Sequence, residues 1–301
     1  MTPRFSYTDA FDRNLGWFTE QEQRSLKGKT IAIAGMGGVG GVHLLTLIRL
    51  GIAKFRIADL DSFEVANFNR QVGAMMSTLD QPKVEVLARM AKDINPEAEI
   101  VEFPNGVTVQ NIDAFLAGVD LFIDGFDFFA IDIRRKTFAR CRELGIPAMT
   151  AAPVGMGVAF LIFTKGGMSF EDYFRFEGKT ELRQYINFLM GLAPSGMHRS
   201  YLVDPARLDI AKRKAPSTMI GVELCASFTA AQAVKVLLNR GDVKPAPFHY
   251  HFDAYLNKFK TGLRRGNNTL LQRMKGDAVE RMLRKQLGIN SAELFPTSTG
   301  H

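Results

Sequence analysis

The sequence predicts a doubly wound, Rossmann-like α/β fold: a mostly parallel sheet with an added helical segment and a C-terminal antiparallel strand or hairpin. Three observations carry this. Ile31–Ala34 is a short apolar run of the kind that fills a strand buried on both faces. It leads straight into Gly35-x-Gly37-x-x-Gly40 and then an amphipathic helix over Val42–Leu50, the strand–turn–helix order of a nucleotide-binding βαβ unit. Beyond it, strand-like and helix-like stretches alternate to residue 163, which implies parallel strands with helices on both faces.

Residues 1–28 read as an N-terminal helical arm carrying Arg13 and Trp17. Thr19 and Glu22 have the spacing of a capping box, so a helix opens there and runs to Leu26. The first βαβ unit is a strand at 30–34, a helix at 41–50 and a strand at 55–58, with Asp59 and Asp61 at its carboxyl end. A loop with Asn67, Asn69, Arg70 and Gln71 precedes a helix over Pro82–Asp93, which Asn95-Pro96 ends. Strands near 98–102 and 120–124, a helix near 108–117, a helix at 131–144, and strands at 147–151 and 158–163 complete the main domain's first part.

The pattern changes after Gly166. Residues 167–217 are rich in aromatics and methionine and broken by Gly and Pro: helical pieces joined by loops, a helical insertion or crossover that would serve as a lid or substrate cover. A helix over 219–238 is apolar nearly all round and therefore buried. Residues 248–263 alternate as a strand or hairpin. The main domain thus covers 29–266, and 267–301 is a basic amphipathic tail ending in PTSTGH, which reads as disordered. In that tail Leu271, Met274, Ala278, Met282 and Leu283 line one side of a helix. It docks either on its own protein or on a membrane surface or partner.

The chain has 301 residues and a formal charge of +7. Between Arg264 and Leu287 stand seven basic residues against two acidic ones, so +5 of that charge belongs to this C-terminal segment. The basic balance is no nucleic-acid footprint of the main domain. Cys141 and Cys225 are too few for a disulfide framework or a cysteine zinc site, and a cytoplasmic home is expected. Neither a bilayer-spanning apolar run nor a signal peptide is read from the sequence, so a soluble, unprocessed protein is expected.

Ligands of doubly wound sheets bind outside the carboxyl ends of the strands. Asp59, Asp61, Asp124 and Asp127 end strands there, and Arg70 and Lys83 lie between them in sequence. Gly35, Gly37, Gly38 and Gly40 let the backbone approach a phosphate at a helix N-terminus. The loop alone points only to a nucleotide. The lysine and arginine suit a triphosphate, and a facing acid suits magnesium, which prefers carboxylate, water and phosphate oxygens.

These residues together resemble the ThiF/MoeB superfamily, the adenylating enzymes that include activators of ubiquitin-like proteins. The matching residues are Gly35–Gly40, Asp59-x-Asp61, Asn67-x-Asn69-Arg70-Gln71, Lys83, Asn95-Pro96 and Asp124-x-x-Asp127. The resemblance implies that Asp59 holds the ribose, that Arg70 and Lys83 grip the phosphates of ATP with Asn67 helping, and that Asp127 holds Mg2+. It implies that Arg13 reaches the partner subunit's nucleotide in a homodimer. Asn69, Gln71, Asp61 and Asp124 complete the expected cofactor-binding set. Phe128 departs from the family's Asn, two extra residues lie between Asp127 and Cys141, and the paired C-x-x-C motifs are absent, so no zinc is expected.

The implied chemistry is attack of a substrate carboxylate on the α-phosphorus of ATP, giving an acyl-adenylate and pyrophosphate. The carboxylate belongs to a ubiquitin-like or carrier protein's C-terminus, a peptide or a small acid. Alternatives are a nicotinamide-dependent oxidoreductase on the same glycine loop, against which Asn67–Gln71 and Lys83 argue, and a non-catalytic nucleotide-binding scaffold. His43 is read as packing or capping, and both cysteines as small core hydrophobes. His249, His251 and Asp253 share a strand face that mimics a metal face and is read as a satisfied polar one.

Overall fold

The computed structural model describes residues 4–208, 214–264 and 270–287. Helices α1 (Tyr7–Phe11) and α2 (Glu20–Gly28) form the N-terminal segment, and the Thr19–Glu22 capping box is made: Glu22 N donates to Thr19 Oγ1 at 3.2 Å and Thr19 N to Glu22 Oε2 at 2.8 Å. Then come β1 (Thr30–Ala34), α3 (Gly38–Arg49), β2 (Lys54–Ala58), α4 (Lys83–Ile94), β3 (Glu99–Phe103), α5 (Ile112–Leu116), β4 (Leu121–Asp124), α6 (Ile131–Leu144), β5 (Ala148–Val154) and β6 (Gly157–Phe163). Helices α7 (Phe170–Phe174), α8 (Glu181–Leu192) and α9 (Met219–Leu237) follow, then β7 (Phe248–Asp253), β8 (Lys258–Leu263) and α10 (Leu270–Leu287).

The strands form one sheet in the order β3-β2-β1-β4-β5-β6-β7-β8. From β3 to β5 every pairing is parallel, and from β5 to β8 every pairing is antiparallel. The change falls where Gly155-Met156 joins β5 to β6: two residues close a hairpin, whereas a parallel return needs a crossover of a dozen or more. The expected mostly parallel sheet with an antiparallel C-terminal part is the one observed.

The core lies on both faces. Residues of α2, α3, α4 and α9 cover one face. Helix α3 is buried at eight of its twelve positions, so the expected amphipathic pattern is replaced by an interior helix. Helix α9 has 19 residues and is long and apolar enough to cross a membrane, which corrects the reading that no such run exists; over half of it is buried within the protein. Helices α5 to α8 cover the other face. The aromatics of 170–188 are core here: Phe170, Tyr173, Phe174, Phe176, Tyr185 and Phe188 are all buried, so this part of 167–217 is a packed layer rather than a lid. Each such ring contributes about 1.5–3 kcal/mol by leaving water.

Helix α5 is shorter than the expected 108–117. Thr108 N donates to Asn111 Oδ1 and Asn111 N to Thr108 Oγ1, a box-like pair that closes a turn over 108–111 ahead of the regular helix. The tail helix docks on α8. Gly276 is buried, where a Cβ would stand 2.6 Å from Arg183 Nη2, and Arg183 Nη1 reaches Asp277 and Glu280 at 2.6 and 3.2 Å. Met274 and Ala278 are exposed. The terminal PTSTGH lies outside the described residues.

Candidate functional site

The site begins with three backbones that touch. Gly35 has φ +90°, and a Cβ on it would stand 2.0 Å from Gly125 O; a Cβ on Gly40 would stand 1.7 Å from Gly35 O. The turn after β1 therefore packs on the turn after β4 with no room for side chains. Gly37 caps α3, which starts at Gly38, so the first-turn N–H groups are left open for an anion.

Asp59 supports this turn from β2. Its Oδ2 accepts from Met36 N at 2.5 Å and its Oδ1 from Asp61 N at 2.8 Å. Burial raises its pKa above the usual carboxylate value despite those bonds. Lys83, the first residue of α4, is buried, and its Nζ lies 3.0 Å from Oδ2 of exposed Asp61. Pro82, expected in the first turn, stands one position earlier as the N-cap.

The Asn67–Gln71 loop lies along the glycine turn. Arg70 Cγ would be 3.9 Å from a Cβ on Gly38, and Gln71 Nε2 3.6 Å from one on Gly37. Arg70 Nη1 donates to Ala66 O and Asn69 Oδ1, both at 2.9 Å. Asn69 Nδ2 donates to Ser217 O, which ties the loop to the chain entering α9. Asn67 is buried and its Oδ1 accepts from Glu64 N, closing its own turn. Gln71 is buried with Oε1 unpartnered.

Asp124 and Asp127 have different surroundings. Asp124, expected to face the cofactor, is instead buried: its Oδ2 accepts from Arg134 Nε at 2.9 Å and Thr150 Oγ1 at 2.8 Å, and its Oδ1 from Phe126 N at 3.1 Å. Asp127 is exposed, and its Oδ1 accepts from Phe129 N at 2.9 Å. Phe128 packs its ring against Phe188, centroids 5.4 Å apart, so the departing residue meets the inserted helix. Sequence reasoning missed Arg134. The available signal was its place in the buried stripe Ile131–Arg134–Phe138–Cys141 of α6, where a charge needs a buried partner.

Arg13 is exposed and far from the glycine turn within one chain. Asn14 Nδ2 bonds Arg49 O at the far end of α3, whose twelve residues span about 18 Å. His43 is buried with both ring nitrogens unpartnered, and burial pushes its pKa down to about 3. Cys141 and Cys225 are buried, and burial raises both thiols, as expected of core cysteines. Ser195 Oγ lies 2.6 Å from His251 Nδ1, and Tyr201 OH donates to Asp253 Oδ2 at 2.7 Å, while His251 Nε2 is unpartnered. Among the described residues no cluster of three His, Cys, Asp or Glu could hold a metal.

A glycine turn opening a buried helix, a strand-end acid beneath it, and a buried lysine and an arginine beside it define a nucleotide-binding protein of the doubly wound class. The chain belongs to the ThiF family, whose model matches residues 11–269. It is 32% identical over 142 residues to the tRNA threonylcarbamoyladenosine dehydratase of Bacillus subtilis (strain 168), covering 47% of this chain and 55% of that protein. It is 28% identical over 142 residues to the sulfur carrier protein ThiS adenylyltransferase of Escherichia coli (strain K12), covering 47% and 56%. The chain thus spans about half the length of these relatives. The crystal structure of E. coli MccB with ATP superposes with a TM-score of 0.62 at 20% identity over 84% of this chain and 70% of that one, a likeness of fold.

Proposed function

We propose that the protein is an ATP-dependent adenylyltransferase that activates a carboxylate as an acyl-adenylate. The observation that carries the reading is the buried Lys83 ammonium, paired with Asp61 and within electrostatic reach of Asp59, the acid that holds the glycine turn, which Arg70 also flanks. An oxidoreductase on the same turn has no use for two cations at the phosphate end, and neither the relatives nor the family support that alternative.

Asp59 holds the turn through Met36 N and, in this reading, accepts from a ribose hydroxyl. The α3 amides, Arg70 and Lys83 bind the triphosphate and stabilise charge that builds on it as the carboxylate oxygen attacks the α-phosphorus and pyrophosphate leaves. An ionised carboxylate needs no general base, so alignment and electrostatics do the chemistry. The exposed Asp127 offers its second oxygen to Mg2+, which fits an ion usually held by one or two carboxylates, water and phosphates. When bound, that ion neutralises phosphate charge.

The substrate we propose is the C-terminus of a small carrier protein or a peptide, or a small acid. We also propose a homodimer: Arg13 lies too far away to serve its own site, and Trp17 beside it is 81% exposed. A peripheral membrane contact through the outward face of α10, and a cytoplasmic location, complete the reading. Pyrophosphate exchange into ATP, run with a panel of carrier proteins, peptides, small acids and tRNA, tests it. Exchange that depends on one of them supports adenylation, whereas ATP binding with no exchange against any carboxylate would leave only a scaffold.

A further inference from the structure

Arg134 is buried on α6, and its guanidinium is spent on the loop after β4. Nε donates to Asp124 Oδ2 at 2.9 Å. Nη2 donates to Phe126 O at 2.8 Å and Asp127 O at 2.9 Å, and Nη1 to Phe128 O at 3.3 Å. Three successive carbonyls of the loop after β4 thus converge on one planar fork. Turning those carbonyls inward leaves the Asp127 carboxylate on the exposed side. The guanidinium carbon lies over the Phe188 ring of α8, 4.6 Å from its centroid.

We infer that Arg134 is the positioning residue for Asp127, and that through Phe188 it ties the aim of that carboxylate to helix α8. This rests on the proposed placement of Asp127 at magnesium. An arginine is needed because its donors sit in a fixed planar array, whereas a lysine ammonium satisfies one point and has no face to stack. Asp124 supplies the counter-charge, and Thr150 Oγ1 and Phe126 N hold Asp124 in turn. The departure at Phe128 belongs to the same arrangement, since its ring also packs on Phe188.

The test is ATP binding by titration calorimetry on the full chain, in EDTA and over a magnesium series, with melting curves as the fold control. Arg134→Lys is expected to bind ATP in EDTA within about twofold of wild type and to need about tenfold more magnesium to tighten, the cost usual for losing an outer partner of a metal ligand. Phe188→Leu keeps an apolar side chain in the layer and is expected to shift the magnesium requirement in the same direction. Folded Arg134→Lys and Phe188→Leu with a wild-type magnesium response, beside an Asp127→Asn that has lost it, overturn the inference alone. Wild-type ATP binding indifferent to magnesium overturns the placement of Asp127 and this inference with it. Should Arg134→Lys not fold, Phe188→Leu decides the matter in the same way.

Discussion

Lys83 and Asp61 form an unequal pair: the lysine side chain is 7% exposed and the aspartate 59%, with 3.0 Å between Nζ and Oδ2. The cation is anchored in the protein while its partner can return to water, so a phosphate can replace Asp61 without leaving a buried acid behind. Lys83→Ala is expected to lower pyrophosphate exchange by about 10²–10³, the usual weight of one electrostatic donor. Asp61→Asn is expected to destabilise the nucleotide-free protein more than Lys83→Ala does, because it strands a buried charge. Urea unfolding of both variants, with and without ATP, checks this; equal midpoints would contradict it.

The buried histidines set a pH dependence of stability. His43 has its pKa pushed down to about 3, and His251 to about 4, mainly by burial. In the unfolded chain each titrates near 6.5. Because the folded values are depressed, the unfolded state takes up protons first: the stability is present above about pH 6.5 and is lost as pH falls towards the folded values. Each group contributes up to about 1.4 kcal/mol per pH unit in its window. Urea denaturation between pH 8 and pH 5 is expected to show a shallower fall for His43→Leu than for wild type.

Two glycines of the same turn should behave in opposite ways. A methyl on Gly40 would meet a backbone oxygen at 1.7 Å, whereas one on Gly38 has Val222 Cγ2 as its nearest neighbour at 3.4 Å. Gly40→Ala is expected to cost about 3 kcal/mol or more, as forced overpacking against backbone does, and Gly38→Ala within about 1 kcal/mol. Chemical denaturation decides it.

If Arg13 serves a partner's nucleotide, two inactive variants should rescue each other. Mixing Arg13→Ala with Lys83→Ala after subunit exchange is expected to return about a quarter of wild-type exchange, since half the dimers are mixed and each has one intact site. No recovery in verified mixed dimers would place Arg13 outside the site.

Much of this protein was legible from local pattern. The apolar run Ile31–Ala34, the glycine spacing and the Thr19–Glu22 box each depend on neighbours in sequence, and each formed as expected. The same holds for the ends of β2 and β4, which place Asp59 and Asp127 at the sheet's edge. Asp124 was harder: its position at a strand end was readable, but the side on which its carboxylate is spent was not, because Arg134 reaches it from another element.

Sequence periodicity carried the order of strands and helices, because it follows from steric and solvation preferences within a few residues, and the glycine spacing, the charges at the strand ends and the family resemblance they support carried the residues of a nucleotide crevice. Tertiary packing decided that the aromatic insertion is core, that α10 docks through Gly276 and Arg183, and that Arg134 holds the loop of Asp127. Those outcomes depend on which charges and surfaces meet across the fold, and such meetings leave little trace in the spacing of one chain.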